Sequence, residues 1–309
     1  MTESKAPITA YDISSYPGKG SQPLPGLDAD MTPQAEHTRL ERWDNEGNPY
    51  LVEYNGSGKL KGKKAIVTGG DSGIGRTVAI FFAREGADVT IVYLPDEEVD
   101  WTAHGRQKSS SSLLDARCYS FRWTCARNWQ GMKLSRSIAE FQTLDVLVNN
   151  ASHQVQCPDL ADIDMATVED TFQTNIIQMI GLSKAALPHM KRGSNIINTT
   201  SVTAYKGSAA MIDYSSTKGA IASFTRALAQ QLLPKGIRVN AVAPGPVYTP
   251  LQPASRSPEQ MDDWGVGSVP LHGRVGQPAE LGESYVYLAT SNLSSGTIVH
   301  PNSAQYMVP

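Results

Sequence analysis

Cysteine is scarce in this chain. Cys118, Cys125 and Cys157 are the three present; none forms a C-x-x-C pair and three cannot all be bridged, so neither a zinc site nor a disulfide framework is expected. No metal is expected elsewhere either, and a reducing, cytoplasmic setting follows. Long apolar runs are also missing: nothing approaches the ~18 residues that span a bilayer, and the opening "MTESKAPITAYDISSYPGKG" lacks the apolar centre of a secretory leader. Charge of one sign is not in excess, for the net charge is −3 and offers no electrostatic reason to bind nucleic acid. The partners expected are small molecules and further copies of the chain.

What is present describes a globular protein. With 309 residues, 40% hydrophobic and 18% charged, one large α/β domain with an appendage is the simplest organisation. The first sixty residues are polar and scattered with Pro and Gly, with neither a period of 2 nor one of 3.6. They read as an extended arm, either a disordered tail or a strap laid on the domain. "RWDNEGNPYLVEYNGSGKLKGK" supplies aromatic anchors for the strap.

From residue 61 the text changes. "KKAIVTGG" is a short apolar run ending in glycines; the helical pattern "IGRTVAIFFAREGA" follows, then a second apolar run, "DVTIVY". This is a βαβ unit. Apolar runs recur at "DVLVNNA", "SNIINTTS" and "IRVNAVAPG", separated by helical stretches around 164–190 and 211–232. The alternation predicts a Rossmann-type, doubly wound parallel sheet with helices on both faces across 61–309.

"TGGDSGIGR" lies where the first strand turns into the first helix. Gly69 allows the tight turn, and Gly73 and Gly75 let backbone and helix N-terminus approach a pyrophosphate. Asp71, Ser72, Ile74 and Arg76 belong to the same loop. A carboxylate ending the second strand would favour NAD by binding the ribose 2′-hydroxyl. "IVYLPDEE" offers Tyr93 and Leu94 there, with Asp96 and Glu97 slightly too late, and Arg76 could neutralise a 2′-phosphate. The balance leans to NADP over NAD.

"DYSSTKGA" puts Tyr214 and Lys218 at i and i+4, on one face of a helix. A phenol with an ordinary pKa near ~10 needs ~4 kcal/mol of differential stabilisation to exchange protons at neutral pH, and a nearby ammonium supplies part of it. Alone, such a pair is more often plain helix surface. Here Ser201 ends the strand "NIINTTS", thirteen residues before Tyr214, where its hydroxyl can hold a carbonyl, and Asn175 lies in the preceding helical stretch.

Together with "VLVNNAS" and "VAPGPVYTP", these motifs resemble the short-chain dehydrogenase/reductase family from about Gly62 to the C-terminus. The arm followed by "YNGSGKLKGKKAIVTGGDSGIGR" resembles the glucose/ribitol dehydrogenase-like oxidoreductases with an N-terminal extension. The resemblance implies that Tyr214 is the general acid/base and that Lys218 lowers its pKa and binds the nicotinamide ribose. Ser201 would orient the carbonyl, and Asn175 would hold a water in a proton relay. It further implies that Asn150 and Ala151 line the cofactor cleft and that Pro244, Gly245, Val247 and Thr249 wrap the nicotinamide half. Hydride would pass between NAD(P) and a secondary alcohol, ketone or other carbonyl compound. The runner-up is a catalytically impaired relative that binds nucleotides or partners.

Two stretches depart from the family. Between residues 101 and 137 no amphipathic period persists, and seven Arg/Lys between His104 and Ser137 face one acid, Asp115. Only "CYSF" can serve as the third strand. A nucleic-acid contact, a divergent insert and a local reading-frame slip compete, and the residues favour the slip. Permissible codons for "FRWTCARNWQGMK", read two nucleotides later, spell Ser-Leu-Asp-Leu-Arg-Glu-Glu-Leu-Ala-Arg-Asn-Glu, with the Asp-Leu step the family uses beside adenine. As written, the chain lacks that aspartate, and a poorly packed third strand and weakened cofactor affinity are expected. Near the C-terminus "SSGTIVHPNSAQYMVP" is a shortened ending, with "GTIVH" as last strand; relatives close a tetramer there, so the homotetramer or homodimer that the resemblance implies rests on this region. Substrate choice should lie in "LQPASRSPEQMDDWGVGSVPLHGR", a lid whose Pro, Gly and Trp264 suggest an apolar-walled cavity.

Overall fold

The computed structural model describes residues 7–13, 21–94, 118–122, 143–262, 264–267 and 269–307, with backbone alone for 118–122. Seven parallel strands form the central sheet: β3 (Lys64–Thr68), β4 (Asp88–Tyr93), β5 (Cys118–Arg122), β6 (Val146–Asn149), β7 (Asn195–Thr199), β8 (Arg238–Val242) and β9 (Ile298–Val299). Their spatial order is β5-β4-β3-β6-β7-β8-β9, the doubly wound arrangement expected, with its switch point between β3 and β6. In such sheets the crevice beyond the strand C-termini at that point is where ligands sit. The segment "CYSF" falls within β5, which pairs with β4 from Val89↔Cys118 to Tyr93↔Arg122. The readings placed on the rest of 101–137 lie outside the described residues.

Strand period 2 sorts the apolar residues onto two faces. Ala65, Val67, Val146, Val148 and Ile197 pack on one side with Val78, Phe81 and Phe82 of α1 (Gly73–Arg84) and Tyr285 and Leu288 of the last long helix. Ile66, Leu147 and Ile196 point the other way, onto Leu182, Ala186, Leu228 and Leu232. The helices of that second face run as α2 (Met165–Phe172), a π turn (Gln173–Ile177), α3 (Gln178–Ala186), α4 (Thr203–Lys206) and α5 (Ile212–Leu232). Short helices α6 (Leu251–Ala254) and α7 (Pro258–Asp262) precede the long α8 (Pro278–Thr290). Both faces being covered, the strands are buried almost throughout.

Polar strand residues in this dry interior are paired, as burial demands. Asn149 Nδ2 donates to Asn198 Oδ1 at 2.9 Å, Asn198 Nδ2 to Thr225 Oγ1 at 3.0 Å, and Asn195 Nδ2 to the Leu288 carbonyl at 2.7 Å. Arg238 donates to the carbonyls of Leu288 and Ala289 at 2.7 and 2.8 Å, placing a cation at the C-terminal end of α8, where the helix dipole favours it. Among the described residues no helix is long and apolar enough to cross a membrane, and no group of three His, Cys, Asp or Glu is placed to hold a metal ion.

Within the stretch read as an extended arm, residues 39–53 form an antiparallel hairpin, β1 (Arg39–Trp43) with β2 (Pro49–Glu53). The turn is built by Asp44, whose carboxylate accepts from the Glu46 and Asn48 backbone N–H groups. Leu40 and Glu41, on opposite faces of β1, are both buried. Arg274, 2% exposed, donates to Glu41 at 2.8 Å and to Glu280 at 2.9 Å. Its guanidinium lies over the Tyr11 ring at 4.7 Å and also reaches Thr9 Oγ1 at 2.8 Å. One buried cation thus gathers the chain start, the hairpin and the N-terminus of α8. Arg274→Ala strands two carboxylates, one of them fully buried, and is expected to cost about 3–5 kcal/mol in urea-induced unfolding, read as a lower midpoint.

Candidate active site

The glycine loop joins the end of β3 to α1 at the switch point. Gly69 has φ +60, a left-handed conformation that favours glycine. Gly75 is needed for space: a β-carbon there would lie 1.8 Å from the Gly69 carbonyl oxygen. The loop is braced from β6. Thr68 Oγ1 accepts the N–H groups of Asn150 and Ala151 at 2.9 and 3.0 Å, and Asn150 Nδ2 donates to the carbonyls of Thr68 and Gly69 at 3.2 and 3.3 Å. Of the residues expected around a cofactor, Asn150 and Ala151 therefore hold the loop's shape. Thr249 packs on Gly73, whose β-carbon would meet its Cγ2 at 3.1 Å.

The remaining loop residues are distributed as follows. Asp71 is buried, Ile74 packs against the core, and Ser72 precedes α1 without a side-chain cap. Tyr93 ends β4 and is half-buried. Pro244 accepts from the Val202 N–H at 2.9 Å, Gly245 lies against the Asn302 backbone, and Val247 is buried. Arg76, weighed as a 2′-phosphate ligand or a solvated helix residue, instead stands 3.5 Å from Asp28 of the arm. Asp28 is 2% exposed, accepts from the Gly73 N–H at 3.1 Å and lies 3.0 Å from His37 Nε2. A carboxylate from the arm thus serves the first turn of α1, where a negative group is electrostatically favoured. Sequence reasoning missed Asp28, because nothing local relates it to a loop 45 residues on.

Ser201, Tyr214 and Lys218 lie near one another. Tyr214 and Lys218 lie on α5, buried, and the Ser201 and Ser152 hydroxyls both act on the Tyr214 phenol. Lys218 Nζ stands 5.2 Å from the centre of the Tyr214 ring and donates to the Thr199 carbonyl at 3.1 Å. That carbonyl is its one acceptor among the described residues, leaving two ammonium donors. Asn175 sits in the π turn. Its Oδ1 accepts from Ser152 Oγ and the His153 N–H at 3.3 and 2.7 Å; its Nδ2 donates to the His153 carbonyl and Thr217 Oγ1 at 2.9 and 3.0 Å. The amide is fully used in tying the post-β6 loop to α5.

The electrostatics differ from the simple expectation that Lys218 lowers the phenol. Burial pushes Tyr214 above its ordinary range, against the Ser201 hydroxyl, the Arg256 guanidinium and the Ser152 hydroxyl, which pull it down. Burial likewise lowers Lys218 to about 7, so its charge is finely balanced near neutral pH. The cation that does act on the phenol is Arg256, between α6 and α7. It was not among the expected site residues, although it is the one charged residue between Arg238 and Glu259. Trp264, expected to wall a cavity, packs with Met31, Tyr248, Val269 and Val275 and carries the Arg256 guanidinium 5.5 Å from a ring centre.

The short chain dehydrogenase family model matches residues 63–260. The NADPH-dependent aldehyde reductase 1, chloroplastic, of Arabidopsis thaliana is 45% identical over 261 residues, covering 81% of this chain and 88% of that protein. The glucose and ribitol dehydrogenase of Daucus carota is 41% identical over 297 residues, 93% of this chain and 96% of its own. Among solved structures, a short chain dehydrogenase from Burkholderia cenocepacia in complex with NADP matches with a TM-score of 0.67 at 27% identity, covering 79% of this chain and 98% of that one. With the match spanning the glycine loop, Ser201, Tyr214 and Lys218, the chain belongs to the short-chain dehydrogenase family of oxidoreductases.

Proposed function

We propose that this protein is an NADP(H)-preferring oxidoreductase that interconverts an alcohol with a ketone or aldehyde, using Tyr214 as general acid/base. The observation that carries the reading is Lys218 Nζ 5.2 Å from the centre of the buried Tyr214 ring, one turn along α5, with the Ser201 hydroxyl acting on the same phenol. The cleft suits a dinucleotide: Gly75 lets the N-terminus of α1 close onto the end of β3, and Lys218 keeps two donors for a ribose diol. A nicotinamide dinucleotide, when bound, supplies or accepts the hydride. The preference for NADP(H) is supported by the relative named as NADPH-dependent and the NADP-bound structure; Arg76 adds less than its charge suggests, being paired with Asp28.

The chain's own part is proton handling and orientation. In reduction, Ser201 Oγ donates a hydrogen bond to the substrate carbonyl oxygen, and the Tyr214 hydroxyl delivers its proton to the same atom. In oxidation the phenolate takes the hydroxyl proton. Because the Asn175 amide is fully engaged, a relay water at this residue would rest on its backbone carbonyl. A cytoplasmic location and a homodimer or homotetramer belong to the same reading. An impaired, purely nucleotide-binding relative is disfavoured by the intact Ser201, Tyr214 and Lys218.

Tyr214→Phe is expected to lower kcat for NADPH-dependent carbonyl reduction by about 10²–10⁴-fold while leaving the Kd for NADPH, from fluorescence titration, within about twofold. Loss of nucleotide binding together with turnover would speak against a proton-transfer role. The raised phenol sets the direction of pH dependence. Protonated at neutral pH, Tyr214 is ready to donate, so kcat/KM for reduction should be level near neutrality and fall in alkali. Alcohol oxidation needs the phenolate, so its kcat/KM should climb with pH over the same range; a rate of oxidation that falls as pH rises would contradict the assignment.

A further inference from the structure

Arg256 stands out among the charged groups around the reacting phenol. It is half-buried, and burial lowers its pKa to about 10, which leaves it cationic at neutral pH. Its Nη1 donates to the Gln252 side-chain oxygen and, at 3.5 Å, to the Gln252 carbonyl. The guanidinium sits over Trp264 at 5.5 Å, a contact that fixes a planar cation. Its Nε and Nη2 hydrogens have no acceptor, and no carboxylate pairs with it, among the described residues.

The segment bearing Arg256 is held to the catalytic loop. Gln154, three percent exposed, donates to Ser255 Oγ at 2.7 Å, and Ser255 is buried beside it. Gln154 lies on the loop whose Ser152 donates to Asn175 and acts on the Tyr214 phenol. Arg256 is therefore anchored from both sides, with its field falling on the Tyr214 hydroxyl, the atom that faces the reacting oxygen. A half-buried guanidinium whose Nε and Nη2 donors meet no acceptor among the described residues, beside an uncharged hydroxyl, suits an anion carried by the substrate.

We infer that Arg256 determines specificity, selecting carbonyl or alcohol substrates that carry an anionic group, a carboxylate or a phosphate, a few bonds from the reacting carbon. The inference rests on the dehydrogenase reading for where the reacting carbon sits, and deepens it by naming a substrate class.

Two matched pairs of aldehydes separate the sources of charge: succinic semialdehyde against butanal for carboxylate, and glyceraldehyde 3-phosphate against glyceraldehyde for phosphate. With NADPH and the full chain, kcat/KM should favour the anionic member of at least one pair. Arg256→Gln should reduce that preference about 10- to 100-fold, as expected for a hydrogen bond to a charged group, chiefly through KM, and Arg256→Lys should restore part of it. A second measurement needs no turnover: succinate or inorganic phosphate should raise the unfolding temperature of the parent, with or without NADP, and not that of Arg256→Gln. Equal use of charged and neutral members in both pairs, or equal thermal shifts in parent and Arg256→Gln, would overturn the inference. Absence of NADPH oxidation with every aldehyde would count against the dehydrogenase reading instead, while the thermal shift would still decide whether Arg256 binds anions.

Discussion

The approach of α1 to the end of β3 is the constraint on which the site depends. With 1.8 Å between the Gly69 carbonyl oxygen and any β-carbon at residue 75, the helix can lie this close only because the position is glycine. The consequence runs outward in both directions. Toward the sheet, Thr68 and Asn150 lock the loop to β6, across the strands where the order of the sheet reverses. Toward the surface, Asp28 reaches the Gly73 N–H from a segment that sequence reading assigns to an appendage. The arm is thereby built into the cofactor end of the domain, and Arg274 fastens its other contacts to α8.

A second consequence concerns charge. Burial in the crevice pushes Tyr214 up and Lys218 down, so it works against the charged form of both the phenol and the amine. Desolvation by itself would leave the phenol a poor acid. The opposing groups are two hydroxyls and a guanidinium, and they come from three different parts of the chain: Ser201 after β7, Ser152 after β6 and Arg256 between α6 and α7. The segment after α6 thus has an electrostatic reach into the Tyr214 hydroxyl.

Strand and helix alternation made the doubly wound sheet legible, because each strand alternates its apolar residues between two covered faces. The i, i+4 spacing likewise made the Tyr214 and Lys218 pair legible, since one helix carries both. The β1–β2 hairpin was less visible: exposed Trp43 lies on one of its faces and exposed Tyr50 and Val52 on the other, which blurs the polar–apolar alternation a half-buried strand normally displays. Asp28 and Arg256 were invisible for another reason. Each acts through a tertiary contact with a distant segment, and neither belongs to a periodic or motif-bearing stretch. The sign of the Tyr214 shift was equally out of reach, since it depends on burial that spacing does not report.

The most direct test of the account follows an isotope. The full chain is given NADPH deuterated at the transferable C4 position and a reducible aldehyde, and the product alcohol is examined by mass spectrometry and proton NMR. The account predicts one deuterium on the former carbonyl carbon, from one face of the nicotinamide, with the hydroxyl proton drawn from water by way of Tyr214. Product formed without deuterium at that carbon, or NADPH bound with no alcohol formed from any carbonyl compound, would contradict it.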